Sequence, residues 1–152
     1  TRQVADAACL SIDTLRGYYH RKVFETIGTL IAAGTNPTPN LFSLRDALHV
    51  SVAGALIRAG QAPRRAWEAG LRFAHSGCAT RLPGRVCPLD RGLTLLMMEH
   101  DSDEHRFQII AKDELPVPPR IGATASTCST ILVLNYVESA VFSSLGIPLE
   151  IE

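Results

Sequence analysis

Residues 10–21 read LSIDTLRGYYHR, a stretch that brings Arg16, Tyr18, Tyr19, His20 and Arg21 within two turns of any helix they form. Guanidinium groups make paired hydrogen bonds to guanine edges and to phosphate oxygens, and tyrosine hydroxyls and imidazoles reach the phosphate backbone. These residue types at this spacing point to contact with a polyanion. Two other clusters have chemical potential. His100, Asp101, Asp103, Glu104 and His105 are acid/base groups, but adjacent charges in a hairpin turn are ordinarily solvated. No phosphate-cradling glycine loop, nucleophile elbow or zinc-protease motif accompanies them, so the expectation is no enzyme and no catalytic residue. Cys78 and Cys87 flank ATRLPGRV, and two thiolates can hold a soft cation, with His75, His100 or His105 to complete a zinc site. A C-x2-C or His-x3-His unit is missing, so no metal and no cofactor are expected. A metal-responsive role for Cys78 and Cys87 stands as an alternative.

The elements that must position the basic stretch can be read from its flanks. Val4, Ala5 and Ala8 lie at helical spacing, which predicts a short helix over residues 2–8. Ser11 is a good N-cap and Asp13 complements the dipole of the first turn, predicting a second helix from residue 12 to about 23. Its inward side would carry Ile12, Leu15 and Tyr19; Asp13, Arg16, Gly17, His20 and Arg21 would face out, with Tyr18 at the edge. Two short helices joined by a tight turn, the second with an exposed basic face, follow the helix-turn-helix plan. Residues 24–42 then pass through Gly28, Gly34, Asn36, Pro37, Pro39 and Asn40, predicting a hairpin of wing type. Ser43 and Asp46 open a third helix with Leu44, Leu48, Val52 and Leu56 along one side. Pro63 opens a fourth, over residues 63–75, with Arg64 and Arg65 at its solvated start.

The order IDTLRGYYHR, wing, LFSLRDALHVSVAGALIRAG, QAPRRAW resembles the DNA-binding domain of MerR-type transcription regulators across about residues 1–75. That family has a TLRYYE-like recognition helix, then a wing closing on an aromatic-Ser-x-x-Asp helix start. The resemblance implies base or phosphate contacts by Thr14, Arg16, Tyr18, His20 and Arg21, with Tyr19 and Lys22 completing the set on the same helix. It places Arg45 at the DNA backbone and Asn36, Thr38 and Asn40 at the wing tip. Cys9 stands where the turn often has Gly, Gly17 interrupts the tyrosine motif, and His20 replaces the usual Glu. The long pairing helix of the family's metal and drug sensors does not follow His75.

The rest of the chain is patterned differently. Residues 93–98 and 106–110 predict a hairpin, 129–134 a buried strand, and 136–145 a helix capped by Asn135 and ended by Gly146. The fold class expected is α+β, divided into a winged helix-turn-helix domain (1–76) and a small β-sheet plus helix domain (77–152) for dimerisation or sensing. At 152 residues, 46% hydrophobic and 20% charged, the chain has enough apolar surface for a core. Its four cysteines read as reduced thiols, no apolar run spans a membrane, and a secretory leader pattern is missing, so a cytoplasmic, nucleoid-associated place in a bacterium is expected. Net charge is zero, yet residues 1–76 hold nine Lys/Arg against five Asp/Glu (+4) and residues 77–152 hold six against ten (−4). Such asymmetry favours a polyanion partner for the first half. The expected function is sequence-specific binding of double-stranded DNA by a homodimeric transcription regulator, with RNA polymerase as a second candidate partner. A protein-interaction module is the alternative.

Overall fold

The computed structural model describes residues 1–24, 42–79, 81–88, 92–99, 107–114 and 128–148. The predicted wing over 25–41 and the acid/base cluster 100–105 lie outside the described residues. The elements run α1 (Arg2–Ala7), α2 (Ile12–His20), α3 (Leu44–Arg58), α4 (Pro63–His75), β1 (Thr94–Glu99), β2 (Phe107–Ala111), β3 (Cys128–Val133) and α5 (Leu134–Leu145). The fold is α+β: among the described residues, five α-helices with a three-stranded antiparallel sheet in the order β2-β1-β3.

Helix starts follow the capping residues. Ser11 Oγ accepts from the Thr14 N–H, and Ser43 with Asp46 forms a reciprocal capping box. Helix ends follow a rule the residue types conceal. After α1, the Cys9 N–H donates to the Asp6 carbonyl and the Leu10 N–H to that of Ala5; after α2, Lys22 donates to Tyr19 and Val23 to Tyr18. This is the Schellman closure, whose penultimate residue is left-handed. Cys9 (φ 51°) and Lys22 (φ 54°) take that conformation without being glycine. The closure at Lys22 ends α2 three residues before the expected position and swings Phe24 into the core.

Helix α3 departs from its one-sided prediction. Besides Leu48, Val52 and Leu56, it buries Ala47, His49, Val50, Ser51, Ala53 and Gly54, so every face is covered. Two glycines permit this. A Cβ at Gly54 would stand 2.6 Å from the Ala8 carbonyl oxygen of α1, and one at Gly70 of α4 would stand 2.6 Å from that of His49. Both are backbone contacts that a side chain cannot relieve.

The boundary expected at residue 76 does not separate two cores. One cluster joins Val4 and Leu15, Leu48 and Val52, Trp67 and Phe73 to Leu96 and Met98 of β1 and to Leu134, Val137 and Val141 of α5. Alternation along β1 sends Leu96 and Met98 to that cluster and Leu95 and Met97 to a smaller one with Ile110 and Val133. β1 pairs Leu96 with Ile109 on one side and Leu132 on the other. Asn135 is not the cap of α5, which starts one residue earlier with Val133 in the N-cap position; its side-chain oxygen instead accepts from the Thr94 N–H at 2.7 Å, tying the start of β1 to the helix. The link from α4 to the sheet is pinned by Arg81, buried although charged. Its Nη1 donates to the carbonyls of Phe73, Leu82 and Arg85 and its Nη2 to that of Ser76.

The left-handed Cys9 gives a direct test of these helix ends. Cys9→Gly removes the Cβ penalty at φ 51° and should raise unfolding stability by about 1 kcal/mol, read by urea denaturation.

Candidate nucleic-acid interface

Helix α2 is nine residues long and fixed from one side. Leu15 is fully buried, and Ile12, Tyr18 and Tyr19 pack against the core from its edge. Below them lies a stack of flat rings: Phe24 on Trp67 with centroids 4.2 Å apart and 14° between planes, and Trp67 on His49 at 3.6 Å. Tyr18 tilts onto Phe24 at 4.6 Å, while Tyr19 meets Phe24 and Trp67 edge-on. Such geometries add to burial because the positive ring edge meets the negative face. The imidazole of His49 is 1% exposed and its Nε2 lies 2.8 Å from the Trp67 carbonyl oxygen, so Nε2 carries the proton and donates it.

The opposite side of α2 is basic and open. Arg16, His20, Arg21 and Lys22 are all exposed, as is Asp13. The Arg16 guanidinium is 3.9 Å from the Asp13 carboxylate, and both side chains are mostly in solvent, so the pair holds neither firmly. The Arg21 guanidinium folds back along the helix, 5.8 Å from the centre of the Tyr18 ring and over the bare backbone of Gly17. An alanine Cβ at Gly17 would meet that guanidinium at 3.5 Å, an ordinary contact.

The expected site residues thus fall into separate environments. Arg16, His20, Arg21 and Lys22 share the open edge of α2, and Arg45 is exposed on the first turn of α3. Thr14 is half-buried, with its hydroxyl 2.8 Å from that of Ser11 and engaged in the cap. Tyr18 is half-buried under Arg21. Tyr19 belongs to the packing: its ring touches Phe24, Phe42 and Trp67, and burial, with the Asp46 carboxylate nearby, holds its hydroxyl proton well above the ordinary tyrosine range. Asn36, Thr38 and Asn40 lie outside the described residues. Arg65, expected at a solvated helix start, is buried, whereas Arg64 is exposed and 3.6 Å from Glu68. Cys78 is exposed and Cys87 buried, with the Cys87 N–H donated to Thr94; among the described residues no group of three or more His, Cys, Asp or Glu could hold a metal ion. No helix among the described residues is long and apolar enough to cross a membrane.

Sequence reasoning passed over His49 and weighed His75 only as a zinc ligand. The two rings meet at 5.5 Å, and His75 Nε2 is 3.7 Å from the Asp46 carboxylate. A histidine inside an apolar helix pattern carries no mark of its partner; only the recurrence of aromatic residues at 24, 42 and 67 hinted at a ring cluster. Comparison of the chain with protein-family models and with curated proteins returns no match.

Burial lowers the His49 pKa from 6.5 to about 4, and lowers that of His75 as well. Between those values the unfolded chain binds the extra proton and the folded one does not. Stability is therefore full above pH 6.5 and falls as pH drops toward 4, by up to about 3 kcal/mol for His49. Thermal unfolding followed across that window should show the loss, and His49→Gln should flatten it, leaving the residual slope of His75.

Proposed function

We propose that the chain binds double-stranded DNA through the open edge of α2 and acts as a transcription regulator of MerR-like type. The observation that carries this reading is the two-sidedness of α2. Leu15, Tyr18 and Tyr19 fix one side of the helix to the ring stack, while Arg16, His20, Arg21 and Lys22 occupy the other without a buried purpose. A short helix held rigidly, preceded by a tight turn through a left-handed residue and a Ser cap, is the form in which a recognition helix is presented to the major groove. Arg45, exposed on the first turn of α3, is a further cation for backbone contact. The +4 charge of residues 1–76 supplies the long-range attraction that duplex association needs. Pairing of two copies on a palindromic operator completes the reading, because twofold proteins match twofold sites.

Selection of binding duplexes from a random oligonucleotide pool, followed by titration at several salt concentrations, tests the proposal. Affinity should fall steeply with salt as condensed counterions are released. Arg16→Ala and Arg21→Ala should each cost about 1–3 kcal/mol of binding, whereas Arg64→Ala, whose guanidinium lies beside Glu68 on α4, should cost nothing measurable. Gly17→Ala should stabilise the fold by about 1 kcal/mol, since the protein leaves room for the methyl group. Weaker binding by this more stable variant would mark close approach of the α2 backbone to the duplex. Full affinity after loss of both arginines overturns the proposal.

A further inference from the structure

A cleft of about 320 Å³ lies between the α1–α2 turn, the outer end of α3 and the junction of β3 with α5. Its walls are largely apolar: Val137 and Ala140 of α5 and the strongly exposed ring of Tyr136, with the thiol-bearing Cys9 at the turn. Two polar groups interrupt that lining. Ser51, on the α3 wall, is 2% exposed, and its hydroxyl finds no hydrogen-bonding partner among the described residues. A buried hydroxyl left unpaired costs free energy that a ligand acceptor would recover. Arg58, at the end of α3, donates from Nη1 to the Ala8 carbonyl and makes no ion pair with a described carboxylate. A guanidinium has five donors in a planar fork, so one carbonyl contact leaves it able to grip a carboxylate.

We propose that this cleft is a binding site for a small amphipathic carboxylate. Its apolar body lies against Val137, Ala140 and the Tyr136 ring, its carboxylate is held by Arg58, and the Ser51 hydroxyl, which has no open surface as it stands, turns toward the cleft to supply a second hydrogen bond. The size suits such a molecule, since small-ligand clefts begin at about 300 Å³ and are apolar with a few placed polar groups. Charge decides the class: among the described lining residues the one ionic group is a cation, Arg58, which disfavours amines and favours an anion. Because Arg58 also holds the Ala8 carbonyl and Cys9 lines the cleft, an occupant touches the turn that precedes α2. The site does not depend on the nucleic-acid reading, and its test uses no DNA.

The test uses octanoate and its uncharged isostere octanamide, titrated calorimetrically into the whole chain. Octanoate should bind about tenfold more tightly than octanamide, the worth of one charge-assisted hydrogen bond. Arg58→Gln should erase that preference while leaving octanamide binding intact, and Ala140→Phe, filling the cleft from its exposed side, should weaken both. Octanoate should also slow alkylation of Cys9 by iodoacetamide, followed by mass spectrometry, and leave exposed Cys78 unaffected. Equal affinity for the two probes, binding indifferent to both substitutions, or Cys9 and Cys78 protected alike overturns the inference, as does the lack of any binding heat with octanoate.

Discussion

The indole of Trp67 is held between the His49 imidazole and the Phe24 ring, and the position of α2 follows from that sandwich. Tyr18 and Tyr19 do not reach the centre of the molecule; they rest on Phe24 and on the indole edge. Ring pairs of this kind contribute about 0.5–1.5 kcal/mol each beyond the area they bury. Three of them in series make the support of a nine-residue helix that is too short to be stable on its own. The neutral state of His49 belongs to the same constraint, because burial under the ring stack takes from the imidazolium the water that would stabilise its charge.

Helix α3 carries that support through the rest of the molecule. With no face left to solvent over most of its length, it is shared by the helical half and the helix that follows the sheet. Ser43 and Asp46 fix its start, Gly54 lets α1 approach on one side, Gly70 lets α4 approach on another, and α5 closes over it from the far half of the chain. The three-stranded sheet is thereby completed. Three strands and a helix offer too little chain to cover both sheet faces, and Leu96 and Met98 find their cover on the helical half.

Much of this was legible in the residues. The caps at Ser11 and Ser43, the proline at the start of α4, the apolar run of β1 and the glycine after α5 each state a local rule that tertiary structure obeyed. What was not legible were quantities that depend on distant partners. The leucines of α3, four apart, mark one apolar side, but small residues at 47, 51, 53 and 54 leave the other sides ambiguous until α1, α4 and α5 are in place. Asn135 has the chemistry of a cap and was drawn off by the free N–H of Thr94, a partner 41 positions away. Arg65 and Arg81 are charged and buried, and Arg81 donates to four carbonyls that no pattern in its neighbourhood announces. At the interface, the basic edge of α2 and the inward turn of Tyr19, with Tyr18 at the edge, were readable from helical spacing; which rings the two tyrosines meet depends on where Phe24 and Trp67 come to lie.

The two non-glycine residues with left-handed backbone among those described, Cys9 and Lys22, sit immediately before and after α2. A chain selected for stability alone would carry glycine at both, as it does at Gly60 and Gly146, where α3 and α5 end. Each departure costs about 1 kcal/mol, and strained positions of this sort gather where a side chain has a use that outweighs its backbone cost. Lys22 keeps a cation at the C-terminal end of α2, where the helix dipole is negative and where the exposed basic edge is longest. Cys9 keeps a thiol on the turn beside the apolar cleft rather than an open backbone. The conflict between side-chain type and backbone conformation around α2 thus sets the turn before it and its own end apart from the ends of α3 and α5, where glycine meets the same demand.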